Sequence, residues 1–380
     1  MEGKKIAFIA NTAWSMYNFR QGLIKMLIAA EAEVYVIAPY DEYACKLKAL
    51  GVHFRRLLRL QAQGVNPLND YLLYRELKNT LRAIRPDFLF TYTIKPNIYG
   101  VLAASALNIP VVAVVTGLGH GFSKGGMVTY AIKKLYRFSL KRAAKVWFLN
   151  KDDLTRFIAD GILDKRKLKL IPGEGIDPEH FKRHSPYPEN APVKFLYSGR
   201  MLYEKGVEDF VNAVTALKGR GRHVVGELLG FTDMQNPSAI TMETVQLWEK
   251  QHIIRYLGST DDVRPYLEKT SCLVFPSYYS EGIPRCLLEA ASMEVPAITT
   301  DSTGCRDVVD DGETGYLTRP KDVEHLVKKM ETFMELSLAD KEVMGKKARE
   351  KVRKYFSEEQ VLNIYIHQIN EITQSQGGSN

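Results

Sequence analysis

The chain alternates short apolar segments of strand pattern with longer amphipathic segments along its whole length. Such alternation favours parallel sheets built by right-handed crossovers. A stretch rich in proline and glycine, residues 173–192, divides the strand segments into two series. The segments are Lys5–Ala10, Val34–Ala38, Phe88–Thr91, Val111–Thr116, Val146–Leu149 and Leu168–Ile171, then Val193–Ser198, Val224–Leu229, Ile254–Leu257, Cys272–Phe275 and Ala297–Thr300. The pattern predicts an α/β protein with two doubly wound, Rossmann-like domains.

The domain boundaries follow from the same pattern. Residues 1–172 are predicted as the first domain, 173–192 as a linker and 193–357 as the second domain. Residues 358–373 are predicted as a helix that crosses back to the first domain, and the polar residues 374–380 as a flexible tail. A chain of 380 residues can give each domain its own core. Since ligands bind beyond the carboxyl ends of such strands, two facing domains would form a central cleft.

The net excess of positive charge lies entirely in the first half of the chain. The net charge is +8, and residues 1–190 hold 29 Lys and Arg against 16 Asp and Glu. The remaining residues hold 23 basic against 28 acidic side chains. We therefore expect the first domain to face an anionic partner.

Cysteine usage and hydropathy indicate the compartment. The four cysteines lack paired metal-ligand spacing, and three of them fall in or beside core-like segments, which is typical of reduced thiols in the cytoplasm. Residues 1–10 are too short an apolar run for a signal peptide. No apolar run approaches the roughly 20 residues of a spanning helix. If the protein meets a membrane, we expect it to lie on the surface.

Two acids, Glu281 and Glu289, flank a strand-to-helix junction. The strand Cys272–Phe275 is followed by turn residues 276–284, and Pro284 suits the first turn of a helix. A helix start offers free N–H groups to an anion. If both acids were helical, they would lie ~12 Å apart along the axis, comparable to an extended nucleotide-sugar. The alternative is two surface glutamates beside a loop.

A second cluster has two cations after a predicted strand. Gly199 ends the strand, and Arg200 and Lys205 follow five residues apart. Arginine and lysine at this spacing suit phosphate oxygens. Taken alone, the cluster also fits a solvated turn. Together the two clusters favour a site for a diphosphate-sugar.

These segments carry a family resemblance. The chain resembles the family 4 glycosyltransferases of GT-B architecture over nearly its whole length. The matching segments are residues 197–206 (YSGRMLYEKG), 257–262 (LGSTDD), 275–284 (FPSYYSEGIP), 288–290 (LEA), 295–298 (VPAI) and 304–307 (GCRD).

The resemblance assigns roles to residues of the second domain. Arg200 and Lys205 would bind the diphosphate, Glu281 the transferred sugar and Glu289 the ribose. Backbone N–H groups around Gly282 and Ile283 would face the distal phosphate. The expected donor-binding set is Gly199, Arg200, Lys205, Glu281, Gly282, Ile283, Pro284, Leu288 and Glu289, of which Arg200, Lys205 and Glu281 would act in catalysis.

The first β–α turn provides candidates for the acceptor site. Residues 11–17 lack the glycine pattern of a dinucleotide-binding turn, which agrees with a nucleotide site on the other domain. Trp14, Tyr17 and Arg20 are predicted to line an acceptor cleft. For Tyr17, a place in the core or on a helix face is an equal alternative.

Two further loops of the first domain are candidates. Residues 115–121 are rich in glycine, so the backbone there can approach a ligand closely. By resemblance His120 would contact the donor sugar as a catalytic residue, and Gly119 would border the acceptor; the alternative for His120 is a plain loop residue. Lys95 and the helix start after it would accept a pyrophosphate, unless Lys95 is only a loop charge.

Residues 126–145 interleave lysine and arginine with tyrosine, leucine and phenylalanine. A basic amphipathic helix of this kind can lie on an anionic leaflet. A core-facing helix with a solvated basic face has the same pattern.

The resemblance implies a retaining, metal-independent glycosyltransferase. It would move a hexose or N-acetylhexosamine from a UDP-sugar to a polyprenyl-diphosphate-linked sugar at the inner face of the plasma membrane. Residues 41–51 and 304–307 resemble bacterial enzymes of surface polysaccharide (capsule, lipopolysaccharide) and glycan assembly, some of which transfer N-acetylgalactosamine. The nucleotide-sugar is a substrate, and no cofactor or metal is expected, since no Asp-x-Asp motif lies beside the donor residues.

Two other functions fit parts of the sequence. An epimerase of GT-B fold would use the same donor cleft without an acceptor. A nucleic-acid-binding protein would use the basic first domain, but the acidic second half and the lack of a recognised binding motif oppose it. We therefore expect no nucleic-acid partner.

Overall fold

A computed structural model describes residues 1–61, 66–117, 126–188, 192–232 and 236–377 of the chain. It divides into two compact units. Unit 1 comprises Met1–Glu174 together with Glu359–Asn380, and unit 2 comprises Gly175–Glu358. Each unit is a parallel sheet with helices between its strands, as the alternating sequence pattern predicts.

Unit 1 has seven strands among its described residues, in the order β3-β2-β1-β4-β5-β6-β7. Neighbouring strands pair in parallel, for example Ile9 with Ile37 on one side and with Thr91 on the other. The strands are β1 (Lys5–Ile9), β2 (Glu33–Ala38), β3 (His53–Arg56), β4 (Phe88–Tyr92), β5 (Val111–Val115), β6 (Lys145–Phe148) and β7 (Leu168–Leu170). The helices are α1 (Ala13–Ala29), α2 (Tyr43–Ala49), α3 (Pro67–Ile84), α4 (Val101–Ser105) after a π-helical turn at Pro96–Gly100, α5 (Gly126–Leu140) and α6 (Lys151–Ala159), with a 3-10 turn at Lys165–Lys167.

Unit 2 repeats the plan with six strands among its described residues, in the order β10-β9-β8-β11-β12-β13. The strands are β8 (Val193–Ser198), β9 (Val224–Leu229), β10 (Ile254–Tyr256), β11 (Cys272–Phe275), β12 (Ala297–Thr300) and β13 (Gly315–Thr318). The helices are α7 (Val207–Gly219) after a 3-10 turn at Tyr203–Lys205, α8 (Met242–Lys250), α9 (Arg264–Leu267), α10 (Arg285–Ser292), α11 (Cys305–Val308), α12 (Val323–Glu335) and α13 (Leu338–Tyr355). The chain then continues as α14 (Glu358–Gly377). The central strand β11 is a fully buried apolar run, and its neighbour β8 is buried except at Lys194 and Ser198, as expected for a parallel sheet covered on both faces.

The C-terminal helix α14 completes unit 1. Tyr365 is buried and lies 4.9 Å, between ring centroids, from both Phe90 and Trp147. Its hydroxyl also bonds the hydroxyl of Tyr92 at 3.0 Å. The helix extends to Gly377, four residues beyond its predicted end.

Two strands have no counterpart in the predicted set. In β3 the segment His-Phe-Arg-Arg is mostly exposed at the edge of its sheet, so burial imposed no apolar pattern on it. In β13 a glycine begins the strand, and a Cβ at Gly315 would lie 2.0 Å from the Ala297 carbonyl oxygen. The close approach of the two backbones requires glycine there. Because glycine is uncommon inside strands, the sequence pattern did not predict β13.

The proline- and glycine-rich segment predicted as a linker packs onto unit 2. Ile176, Phe181 and Tyr187 are buried, and the first two belong to the core of that unit. Arg183 donates hydrogen bonds to the carbonyl oxygens of Leu267, Glu268 and Met293 at 2.9–3.0 Å. Proline and glycine here indicate irregular backbone, and the packing comes from the apolar residues between them.

No helix within the described ranges is both long and apolar enough to cross a bilayer.

Candidate functional site

The strand order of unit 2 reverses at β8. From β8 the chain proceeds outward through β9 and β10 on one side, and then through β11, β12 and β13 on the other. The crevice beyond the carboxyl ends of the strands at such a switch point is the usual ligand site of an open α/β sheet. The loops after β8 and β11 carry the two predicted residue clusters, so the fold brings them together.

A close backbone approach joins these two loops. Gly206 has a φ of +74°, and a Cβ there would lie 2.2 Å from the Pro276 carbonyl oxygen. The Glu204 carbonyl oxygen accepts hydrogen bonds from the N–H groups of Tyr278 and Tyr279 at 3.0 and 3.1 Å. Only glycine permits this contact, which fixes the position of Lys205 against the second loop.

Lys205 and Glu281 form an ion pair across the two loops. The Lys205 Nζ atom lies 2.6 Å from Glu281 Oε1, and the side chains are 14% and 11% exposed. The Ser277 hydroxyl donates a second hydrogen bond to the same carboxylate oxygen at 3.0 Å. A cation and a carboxylate, largely withdrawn from water, therefore stand side by side at the switch point.

Ser277 belongs to the site although the sequence did not single it out. Its side chain is fully buried, and its carbonyl oxygen accepts hydrogen bonds from the hydroxyls of Ser302, at 2.9 Å, and Thr300. Both donors follow or end β12, the next strand of the sheet. The signal available in the sequence was a small hydroxyl residue four positions before Glu281, in the turn after a buried strand.

Arg200 lies in the loop that follows β8, as predicted. Its side chain is exposed and has no hydrogen bond or ion pair with any residue that the structure describes. The Tyr197 hydroxyl bonds the Arg200 carbonyl oxygen at 3.0 Å and holds the backbone at this point. The five N–H donors of the planar Arg200 guanidinium are therefore available to a ligand.

The helix α10 begins later than the sequence spacing assumed. Glu281 precedes Arg285–Ser292 and is not helical, so the predicted axial separation from Glu289 does not apply. Pro284 is the N-cap residue rather than the first helical residue, and it makes no side-chain cap hydrogen bond. The N-cap side chain therefore does not compete with an anion for the first N–H groups of α10.

Glu289 lies one turn into α10. Its Oε1 accepts a hydrogen bond from Arg285 Nε at 2.9 Å, and the two residues are an i,i+4 pair. Burial raises the pKa of the Glu289 carboxyl, and the adjacent guanidinium of Arg285 opposes that shift. Glu289 is therefore a shielded carboxylate with one partner, consistent with a binding role for its other oxygen.

The turn between Glu281 and α10 packs tightly against the next loop. A Cβ at Gly304, which has a φ of +80°, would lie 2.2 Å from the Gly282 carbonyl oxygen. Ile283 is half-buried against the core of unit 2. Leu288, predicted to bind the donor, instead lies in that core with 2% exposure, so its role is packing.

Two thiols lie beneath this turn. Burial raises the pKa of the Cys286 thiol well above its ordinary value and that of Cys305 to about 11. Cys45, Cys272, Cys286 and Cys305 are all free, and Cys45 is exposed rather than buried. The two thiols near the site are thus protonated and unreactive near neutral pH.

In unit 1, Arg20 does not line an open cleft. It is 4% exposed, forms an ion pair with Glu174, and places its guanidinium carbon 3.7 Å from the centroid of the Tyr92 ring. Its pKa is raised, because the Coulombic effects of Glu174 and the nearby tyrosines outweigh desolvation by burial. The prediction that Arg20 lines an acceptor cleft is corrected: its guanidinium is paired with Glu174 inside unit 1.

Lys95 is also engaged within unit 1. Its Nζ atom lies 2.8 Å from Asp70 Oδ1, and the Tyr99 hydroxyl donates to the other oxygen of Asp70 at 3.0 Å. The predicted pyrophosphate contact is therefore not preformed. Pro96–Gly100, which follows, is a π-helical turn rather than a regular helix start.

The other acceptor candidates differ in exposure. Trp14 is 39% exposed, and its backbone N–H donates a hydrogen bond to Asp41 Oδ2 at 3.0 Å. Tyr17 is half-buried beside Tyr43, with ring centroids 5.6 Å apart. Gly119 and His120 lie outside the described residues.

Within the part of the chain that is described, His, Cys, Asp and Glu side chains nowhere gather in threes that could hold a metal ion.

Two protein families have models that match this chain. The family model described as "Glycosyl transferase 4-like domain" matches residues 18–174, and the one described as "Glycosyl transferases group 1" matches residues 179–351.

Similar curated proteins are named for glycosyl transfer. One is the N,N'-diacetylbacillosaminyl-diphospho-undecaprenol α-1,3-N-acetylgalactosaminyltransferase of Campylobacter jejuni, 29% identical over 87% of this chain and 89% of its own. Another is the capsular polysaccharide biosynthesis glycosyltransferase CapM of Staphylococcus aureus, 25% identical over 76% of this chain and 79% of its own. A third is the UDP-Gal:α-D-GlcNAc-diphosphoundecaprenol α-1,3-galactosyltransferase of Escherichia coli, 22% identical over 81% and 82%.

Solved structures show the same fold. A glycosyltransferase from Rickettsia africae has a TM-score of 0.78 at 17% identity, covering 98% of this chain and 99% of its own. Anabaena HepE in complex with UDP has a TM-score of 0.78 at 16% identity, covering 97% and 100%. The two parallel sheets are those of the GT-B fold.

Proposed function

Because the chain belongs to the glycosyltransferases of GT-B fold, we propose that it transfers a hexose or N-acetylhexosamine from a UDP-sugar to a polyprenyl-diphosphate-linked sugar, with retention of anomeric configuration. The observation that carries the proposal is the shielded Lys205–Glu281 pair beside the free Arg200 at the switch point of unit 2. Two relatives named for diphospho-undecaprenol acceptors support the acceptor class.

The donor would be held along the edge formed by the loops after β8 and β11. Arg200 and Lys205 would bind the diphosphate, with the uncapped start of α10 as a further anion site. Glu281 would accept hydrogen bonds from the hexose, and Glu289 from the ribose hydroxyls. In the free protein Glu281 is paired with Lys205, so the sugar and the diphosphate would each engage one member of a pair that is already oriented.

Catalysis would rest on stabilising the leaving group. As the glycosidic C–O bond breaks, negative charge grows on the diphosphate. Lys205 is a cation held in place beside the position that we propose for it, and Arg200 is a second cation whose donors are available there. The acceptor hydroxyl would enter from the same face and give its proton to the departing phosphate oxygen, which retains configuration. We propose that these side chains take the place of a metal ion.

The test is a donor screen. The protein is incubated with a panel of UDP- and GDP-sugars, with and without a short polyprenyl-diphosphate-linked saccharide, and the products are separated and their anomeric configuration is read by NMR. We expect acceptor-dependent release of UDP, unaffected by EDTA. An epimerised UDP-sugar without acceptor transfer would support the epimerase alternative, and a product of inverted configuration would refute the retaining mechanism. Glu281→Ala serves as the inactive control.

We also propose that helix α5, Gly126–Leu140, contacts the inner face of the plasma membrane. Tyr130 and Phe138 are 63% and 55% exposed, and each has a cation over its ring: Lys134 Nζ at 5.2 Å and the Arg142 guanidinium at 4.0 Å. Exposed aromatic side chains on the helix, with basic side chains of the helix and of the residues just after it over their rings, suit an anionic interface.

The experiment on this surface is co-sedimentation with lipid vesicles. The protein should bind vesicles containing phosphatidylglycerol, and binding should weaken with salt and in Lys134→Glu/Arg142→Glu. Vesicles of phosphatidylcholine alone are the control. Equal binding of wild type and the double variant would refute the assignment of α5.

A further inference from the structure

Glu289 occupies a position that is unfavourable for an isolated charge. Its side chain is 16% exposed on a helix whose neighbouring residues Leu287, Leu288 and Ala290 are buried. A carboxylate withdrawn from water either finds a partner or becomes protonated. The structure provides one partner, Arg285, which is 26% exposed on the same face of α10.

We propose that Arg285 is a positioning residue of the donor site: by holding Oε1 of Glu289, it fixes the carboxylate and leaves Oε2 for the ribose hydroxyls. The proposal rests on the donor site proposed above. The 2.9 Å contact uses the Nε atom of the guanidinium, and Oε2 of Glu289 has no hydrogen bond to any residue that the structure describes. A residue that supports a binding group in this way determines the affinity for donor without touching it.

The geometry of the helix explains why Arg285 can act in this way. Residues four apart lie on one face of a helix, about 5–6 Å apart at Cβ. Arg285 is the first helical residue, immediately after Pro284. It is therefore held at a fixed distance from Glu289, and the pair can form before any ligand binds. Preorganised groups lose less conformational freedom when the ligand arrives.

One further charged group opposes the ionisation of Glu289. Asp262, in the loop after β10, raises the pKa of the Glu289 carboxyl, in addition to burial. Asp262 is itself paired with Arg264, at 2.8 Å, and Arg264 lies 3.4 Å from His180. Of the neighbours that affect Glu289, Arg285 is the one that lowers its pKa.

The direction of the pH effect follows from these charges. The pKa of Glu289 is raised by burial, so the ionised form that binds ribose is lost as the pH falls through that raised value. Without Arg285 the pKa rises further, because its opposing effect disappears. In Arg285→Gln the donor KM should therefore begin to increase at a higher pH than in the wild type.

The experiment measures donor kinetics of Arg285→Gln, Arg285→Lys and Glu289→Gln between pH 5.5 and 9. At pH 8 we expect Arg285→Gln to raise the donor KM roughly tenfold, the effect of losing one hydrogen bond to a charged group, with a much smaller change in kcat. Arg285→Lys should have a donor KM between those of Arg285→Gln and the wild type, because lysine restores the positive charge but not the planar guanidinium with its several N–H donors. The control is Lys346→Gln, which removes an exposed i,i+4 ion pair with Glu342 on α13 and should change nothing.

Double variants separate the failure of this proposal from that of the donor site. If Arg285 acts through Glu289, then Arg285→Gln/Glu289→Gln should have the same donor KM as Glu289→Gln alone. A further increase in the double variant would show direct contact of Arg285 with the donor and would overturn the proposal. If Glu289→Gln leaves the donor KM unchanged, the ribose assignment itself is wrong. If Glu289→Gln raises it but Arg285→Gln does not, only the positioning role is wrong.

Discussion

Replacing Lys205 by methionine separates the stabilising role of its charge from the proposed catalytic role. Lys205 Nζ lies 2.6 Å from Glu281 Oε1, and neither side chain is more than 14% exposed. Removal of one partner from such a pair leaves a carboxylate shielded from water without its counter-charge. The expected loss is about 3–5 kcal/mol in the free energy of unfolding of unit 2. Methionine keeps most of the side-chain volume, so the loss reports charge rather than a cavity.

The effect on catalysis should be of a different kind. Loss of one fixed donor to the charge that develops in the transition state lowers turnover about 10²- to 10³-fold. Lys205→Arg keeps the charge and should stay within about tenfold of the wild type. Lys205→Met/Glu281→Gln replaces both charges and should recover most of the stability, because a neutral pair carries no unpaired buried charge. Its turnover should remain low.

The assay combines urea unfolding, followed by circular dichroism, with UDP release under single-turnover conditions at urea concentrations where every variant is folded. Folded Lys205→Met with turnover within threefold of the wild type would refute the catalytic role. Stability that is unchanged in Lys205→Met would refute the claim that the pair is shielded from water.

Four further results are expected. Arg200→Ala should lower turnover by about 10²-fold without changing the unfolding midpoint, since its side chain has no partner among the described residues; a shifted midpoint would contradict this. Gly206→Ala should be destabilised by more than about 1 kcal/mol in thermal unfolding, because its Cβ would meet a carbonyl oxygen at 2.2 Å; wild-type stability would show that the loop can move. Ser277→Ala should reduce kcat more than donor KM, because it removes a hydrogen bond that orients the Glu281 carboxylate, and a change in KM alone would refute this. Thiol titration at pH 7.5 should label Cys45 in the native protein and Cys305 only after unfolding, because burial raises the pKa of the Cys305 thiol to about 11; rapid native labelling of Cys305 would contradict its burial.

The sequence was most informative where burial imposes a pattern. Val193–Ser198, Cys272–Phe275 and Ala297–Thr300 are predicted to the residue, because strands covered on both faces are rich in apolar residues. The exposed edge strand His53–Arg56 has no such pattern and was missed. The sequence predicted Lys205 and Glu281 for one donor site, but not the direct ion pair between them.

Side-chain partnerships were the part that the sequence left open. A sequence does not show whether a basic residue faces a ligand or is paired inside the fold. Arg20 and Lys95 were therefore predicted to contact a ligand. In the structure Arg20 is paired with Glu174, and Lys95 with Asp70. These acids are 154 and 25 residues away in the chain, and only the folded backbone brings them close.

The discontinuity of unit 1 has a consequence for its biosynthesis. Chains emerge from the ribosome N-terminus first and generally fold one domain at a time. Here Phe90 and Trp147 acquire their cover, Tyr365, only after residues 175–358 have been translated. The later unit can thus finish folding before the earlier one, in which Phe90 and Trp147 lack this cover until α14 has been synthesised. A premature stop before residue 365 would remove the contact of Tyr365 with both rings, and we expect such products to aggregate or be degraded.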